Sequence, residues 1–153
     1  MHEQLKLDNQ LCFRFYTVSR LITQAYYPLL KGLDLTYPQY LVMMVLWEQD
    51  RQPVNDIAKR LMLNTNTITP LLKRLETEGF VLREKGEKDA RQVIVSLTKK
   101  GKQMEQKAAC VPTEMAKTFT CNDLLCTPEE VKDIAGLLDT MIAALRNQEE
   151  ATE

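Results

Sequence analysis

Four cysteines, a single histidine and a run of lysines and arginines carry the chemistry open to this 153-residue chain. Cys12, Cys110, Cys121 and Cys126 are too few and too unevenly spaced for the disulfide framework of a small secreted domain, so reduced thiols are expected. A zinc site is not: Cys-x-x-Cys is absent, Cys121 and Cys126 have no second pair, and the only histidine is His2. The same histidine count removes Ser-His and Cys-His nucleophile pairs. The five glycines form neither a Gly-x-Gly-x-x-Gly nor a phosphate-binding loop. No metal, no cofactor and no enzymatic turnover are expected.

The net charge of −1 hides an uneven layout. Between Lys59 and Lys102, eleven Lys/Arg stand against five Asp/Glu, a local excess of +6, while the rest of the chain holds nine against sixteen, or −7. A basic middle between acidic flanks suits a nucleic-acid face, and a solvated charged surface produces the same pattern.

These groups must be positioned by one domain, because 153 residues are enough for a single core. With 44% apolar and 27% charged residues the chain reads as globular rather than disordered or collagen-like. No apolar run nears the roughly 18 to 20 residues of a membrane helix, and MHEQLKLDNQ holds no signal-peptide core. A cytoplasmic protein without membrane association is expected.

Periodicity supplies the elements. Asp8 is the expected cap of a first helix whose apolar face runs through Leu11, Phe15, Val18, Ile22, Ala25 and Leu29 to about Leu33. Thr36 caps a second, nearly all-apolar helix with Pro38 in its first turn, which makes Met43, Met44 and Trp47 core candidates. VNDIAKRL forms a short helix, and Asn64 caps TNTITPLLKRLETEGF, which Pro70 is expected to bend or unwind near its start and Gly79 to close. The period then changes from 3.6 to 2: FVLRE and QVIVSL form a hairpin around the charged KGEKDAR. Thr98 caps the next helix, read as running on past Pro112 with a bend, and TPEE at 127–130 opens a last helix with the stripe Ile134, Leu137, Leu138, Met141, Ile142 and Leu145.

The fold class is therefore mainly α with a small β-hairpin wing, a winged helix-turn-helix held between terminal helices. Residues 36–98 form the DNA-binding part, and 8–33 with 99–147 the dimerisation helices, within one domain of 1–153. The terminal helices expose apolar faces that a small centre cannot cover, so an intertwined homodimer is expected; a monomeric bundle is the alternative.

In such a module the second helix of the pair enters the major groove of double-stranded DNA. Thr65, Asn66, Thr67 and Thr69 are then placed at base edges, with Lys73 and Arg74 as phosphate partners. Arg91 is expected in an adjacent minor groove, oriented through its guanidinium by Asp89, with Lys85 and Lys88 on phosphates. A wing whose charges only maintain solubility is the alternative.

Four blocks, LDNQLCFRFYTVSR, LTYPQYLVMMVLWEQD, TITPLLKRLETEGFV and DARQVIVSLTKKG, give the span from about Leu7 to Lys102 a resemblance to the MarR regulators. LCFxxY together with LTYPQY resembles in particular the OhrR-type sensors of organic hydroperoxides. The resemblance implies a dimeric repressor on a pseudo-palindromic operator, released by organic hydroperoxides. It implies that Cys12 is the reactive thiolate, that Tyr26 and Tyr37 hydrogen-bond to it from the other subunit, and that a second cysteine resolves the oxidised form. Cys121 or Cys126 falls in that region, Cys121 being preferred, and a low-molecular-weight thiol is the alternative; Cys110 is read as structural.

Physical chemistry bears on Cys12 from both sides. A helix start and hydroxyl donors, including Tyr16 one turn on, favour a thiolate, whereas a buried cysteine is ordinarily an inert small hydrophobe. Oxidation would give a sulfenic acid and shift the two recognition helices off the roughly 34 Å half-site spacing of duplex DNA. Two departures from the OhrR-type pattern stand out: Asn64 where aspartate is usual, and Thr65-Asn66 for serine-glycine. Operator preference is therefore not transferable. Two other functions fit parts of this sequence: a MarR-type repressor released by a non-covalent phenolic ligand, and a thiol peroxidase turning over on Cys12.

Overall fold

The computed structural model describes residues 2–86, 89, 91–120 and 127–150. Met1–Pro112 and Thr113–Glu153 are two compact units. The first holds α1 (Leu11–Lys31), α2 (Tyr37–Glu48), β1 (Gln52–Pro53), α3 (Val54–Arg60), α4 (Thr65–Thr77), β2 (Val81–Lys85), β3 (Val93–Leu97) and α5 (Lys99–Ala108). Then follow α6 (Val111–Thr120) and α7 (Pro128–Glu150).

Four helix starts lie where the cap residues place them. Thr36 and Gln39 form a reciprocal box, Gln39 N–H donating to Thr36 Oγ1 at 3.4 Å and Thr36 N–H to Gln39 Oε1 at 2.8 Å. Thr127 and Glu130 do the same for α7. Asn64 Oδ1 accepts from Thr67 N–H at 3.0 Å, and Thr98 Oγ1 from Gly101 N–H at 3.0 Å. Asp8 is not a cap: it lies in a 3-10 turn, Leu7–Asn9, and Gln10 precedes α1 without a side-chain cap bond. α5 does not run past Pro112 either. It ends at Ala108, and Pro112 takes the first turn of a separate α6, where its missing N–H costs nothing. Pro70 leaves α4 uninterrupted, and Gly79 closes it with φ +76.

The sheet has three antiparallel strands in the order β1-β3-β2, with Val81 opposite Leu97 and Lys85 opposite Val93. β1 went unread in the sequence because two residues carry no periodicity; its Pro53 pairs with Ile94 at a sheet edge, where a missing donor is tolerated. The core joins Leu30 of α1, Val42, Met43 and Leu46 of α2, Ile57 of α3, Ile68, Leu72 and Leu75 of α4, and Phe80, Val81 and Val95 beside the wing. Met44 and Trp47 are only partly buried at its edge. The Trp47 indole N–H donates to the Gly101 carbonyl at 3.0 Å.

Gly101 is required there by space. A Cβ on it would lie 2.1 Å from the carbonyl oxygen of Phe80, a backbone atom held where the wing meets α4. Gly101→Ala is therefore expected to lower the stability of the first unit by about 1–3 kcal/mol, read as a shift in the urea midpoint at unchanged m-value. An unshifted midpoint would mean that α5 slides freely along the wing root.

The apolar stripes of α1 and α7 are not covered in the single chain. Leu11 is 61% exposed and Val18 53%, and on α7 Leu137 is 60% and Leu145 61% exposed. Among the described residues, no helix is long and apolar enough to cross a membrane.

Candidate nucleic-acid interface and thiol site

α3 and α4 are joined by a tight turn in which Met62 takes φ +55 and Leu63 N–H closes on the Ala58 carbonyl at 2.9 Å. This turn presents the start of α4 outward: Thr65, Asn66 and Thr67 are exposed, Thr69 is half-buried, and Lys73 and Arg74 are exposed further along. The hydrogen bonds divide their roles. Thr67 Oγ1 donates to Asn64 Oδ1 at 2.9 Å and Thr69 Oγ1 to the Thr65 carbonyl at 2.7 Å, so both offer only lone pairs outward. A phosphate, which has no donor, finds nothing in them, whereas the amino groups of adenine and cytosine do. Thr65 and Asn66 are left to donate.

The wing folds against this turn. Thr65, Thr69, Asn55, Arg83, Arg91 and Gln92 line one crevice between α4 and the hairpin, bringing two of the expected contact regions together. Asp89 does not orient Arg91 by its guanidinium. Its Oδ1 accepts from the Arg91 backbone N–H at 2.9 Å, positioning the arginine through the main chain and leaving the head group exposed. Lys85 is exposed at the end of β2, and Lys88 lies outside the described residues.

Two ion pairs that span distant elements escaped sequence reading. Glu76, on the last turn of α4, holds Arg83 of β2, with Nε and Nη2 each 2.8 Å from Oε2. Asp50, after α2, accepts from the N–H groups of Arg51 and Leu97, each at 2.8 Å, and from Lys102 Nζ at 2.9 Å. It thereby fastens the end of β3 and α5 to the α2 end. Burial alone would raise the Asp50 pKa, but the Leu97 N–H, Lys102 and the Arg51 N–H outweigh it and the carboxyl lies below its ordinary value. A depressed carboxylate stabilises the fold fully above its unfolded pKa of about 3.9 and loses that contribution as pH falls through the folded value. Asp50→Asn should therefore cost about 1–2 kcal/mol at neutral pH, with the Tm difference from wild type closing below about pH 4. A difference that persisted at low pH would assign the loss to shape instead of charge.

Cys12 is the second residue of α1 and is exposed, so the inert buried thiol is not what the chain presents. Tyr16 follows one turn later, 65% exposed. Tyr26 and Tyr37 stack at 4.5 Å between ring centroids, with Tyr40 6.1 Å from Tyr26. Burial raises the pKa of all three; the neighbouring Tyr37 adds to Tyr26, and Tyr26, Tyr37 and Cys110 add to Tyr40. They stay protonated at neutral pH, as hydrogen-bond donors. Fourteen residues separate Cys12 from Tyr26 on one helix, about 21 Å at 1.5 Å per residue. The tyrosine pair therefore cannot serve the cysteine of its own chain.

Cys110, read as structural within a helix, is exposed instead at the break between α5 and α6, its Sγ 3.5 Å from the Lys107 carbonyl. Cys121 and Cys126 lie outside the described residues. Among the described residues no group of three His, Cys, Asp or Glu could hold a metal ion.

Residues 24–108 match the family model of the transcriptional regulator SarA/Rot. The chain is 44% identical over 146 residues to the organic hydroperoxide resistance transcriptional regulator of Bacillus subtilis (strain 168), covering 95% of this chain and 96% of that one. It is also similar to AbfR of Staphylococcus epidermidis. The structure of reduced AbfR bound to DNA matches with a TM-score of 0.74 at 40% identity over 94% of this chain and 98% of that one. Overoxidized AbfR bound to DNA matches with a TM-score of 0.74 at 40% identity over 94% and 96%.

Proposed function

We propose that this chain, which belongs to the MarR family of winged-helix transcriptional regulators and to its organic hydroperoxide-responsive branch, is a homodimeric repressor that leaves its operator when Cys12 is oxidised. The observation that carries the reading is the separation of an exposed thiol from its donors: Cys12 opens α1, while Tyr26 lies about 21 Å down the same helix with Tyr37 of α2 stacked on it, both protonated. Only a second copy can bring the two together, so the uncovered stripes of α1 and α7 and the incomplete thiol site call for the same partner.

The chemistry is a two-electron oxidation. The Cys12 thiolate attacks one peroxide oxygen of ROOH, the S–O bond forms as the O–O bond breaks, and RO⁻ leaves to take up a proton as the alcohol, giving Cys12–SOH. Tyr26 and Tyr37 of the partner subunit donate hydrogen bonds that hold the thiolate before attack. A second thiol then displaces water to form a disulfide. Cys121, Cys126 and a low-molecular-weight thiol are the candidates, and overoxidation is the competing end. Each subunit reacts once per reduction by another thiol, which makes the protein a switch and not an enzyme.

In the DNA-binding part, Thr65, Asn66, Thr67 and Thr69 enter the major groove, with Lys73 and Arg74 on its flanking phosphates. Arg91 enters the minor groove, with Lys85 and Lys88 on phosphates. A DNA target and a thiol that has to be reduced before it reacts both support a cytoplasmic location. Fluorescence anisotropy on a duplex from the region upstream of its own gene tests the reading at fixed salt: binding by reduced protein, loss on adding an organic hydroperoxide, and recovery with a thiol reductant. Binding that ignores the hydroperoxide would defeat it.

A further inference from the structure

The wing is a hairpin whose third strand pairs only two residues, and a two-stranded hairpin is by itself marginally stable in water. Something must fix its distance from α4. The carboxylate of Glu76 receives three donors from one residue: Arg83 Nε and Nη2 reach Oε2, each at 2.8 Å, and the Arg83 backbone N–H reaches Oε1 at 3.2 Å. Side chain and main chain of Arg83 are thus held at once, in a partly buried setting where both partners are about one-quarter to one-third exposed. Arg83 also lines the same crevice as Thr65, Thr69 and Arg91.

We propose that Arg83, clamped by Glu76, is a positioning residue for DNA binding: it locks the wing to the recognition helix so that Arg91 and the Thr65–Thr69 turn meet neighbouring grooves as one rigid body. This rests on the DNA-binding reading above. Because its charge is spent on Glu76, Arg83 serves through placement and not through a phosphate contact. A wing already ordered before binding spares the entropy of ordering it on the duplex. Lysine cannot replace the arginine, since a point charge lacks the planar fork that engages Oε2 through two nitrogens.

A double-mutant cycle on the reduced full-length chain tests this, using anisotropy on the upstream duplex at fixed salt with wild type, Glu76→Gln, Arg91→Ala and the double variant. Glu76→Gln is expected to weaken binding about tenfold, the cost of ordering one or two interfacial groups. In its background Arg91→Ala should cost markedly less than in wild type, because an unclamped wing no longer delivers Arg91 to its groove. A role in stability alone would leave the two losses additive, and additivity overturns the clamp. Arg83→Lys, which keeps the charge, should weaken binding as Glu76→Gln does; wild-type affinity in that variant overturns it too. Hydrogen exchange reads the same question without DNA: Glu76→Gln should lose protection at Val93–Leu97 while α2 keeps its own. Unchanged wing protection refutes the clamp whether or not the duplex binds, whereas a wild type that binds no duplex defeats the DNA-binding reading separately.

Discussion

Cys12→Ser is expected to hold DNA through a hydroperoxide titration that strips wild type from the same duplex. The substitution exchanges sulfur for oxygen at an exposed position on the first turn of α1, so neither packing nor the helix start changes. Surface changes of this kind stay within about 0.5 kcal/mol, and the affinity of the reduced variant should stay within about two- to threefold of wild type. The hydroxyl cannot be carried to a sulfenic acid, so the response to oxidant falls to nothing. In wild type, release should saturate near one equivalent of hydroperoxide per subunit and reverse on adding a thiol reductant. An equal response in both proteins would remove Cys12 as the sensor and favour a non-covalent ligand of the phenolic kind. Steady consumption of peroxide far beyond one equivalent would instead make the thiol a peroxidase.

How much of this was legible beforehand follows from the range of each interaction. Thr36, Asn64, Thr98 and Thr127 were readable as caps because a cap bonds within three residues of itself, and all four make those bonds. Asp8 failed for the complementary reason: nothing local distinguishes a cap from a 3-10 turn when the apolar stripe begins a few residues on. The Pro112 helix broke because the sequence places proline in an apolar pattern without revealing that Ala108 already ends α5. Glu76–Arg83 and Asp50–Lys102 were invisible, since they bridge a helix to a strand and a loop to a helix at separations that no periodicity encodes. Asp89 does meet Arg91, but through the arginine's backbone N–H and not through its guanidinium, a distinction that two residue types at a spacing of two do not carry. The proposed thiol site rests on resemblance to a family, and the helix geometry adds that its tyrosine donors would have to come from a second chain.

That need for two chains yields the other large effect. Leu138 lies mid-stripe on α7, one turn from Ile134 and from Ile142, and is 39% exposed in the single chain. Covering the part of this leucine still exposed contributes about 1 kcal/mol per subunit, and placing a carboxylate there removes this while adding the larger cost of desolvating a charge. Leu138→Glu is therefore expected to shift the chain from dimer to monomer in sedimentation at micromolar concentration, with far-UV circular dichroism unchanged. A monomer can engage only one half-site, and losing the linked second contact lowers operator affinity by about 10²–10⁴-fold. On the proposed reading, in which Tyr26 and Tyr37 of the partner subunit donate hydrogen bonds that favour the reactive thiolate, the thiol should slow in the same variant. These two losses share one cause but can be separated. If Leu138→Glu is monomeric and Cys12 still reacts at the wild-type rate, the tyrosines do not act across the dimer; if it remains a dimer with full affinity, the α7 stripe is not the interface.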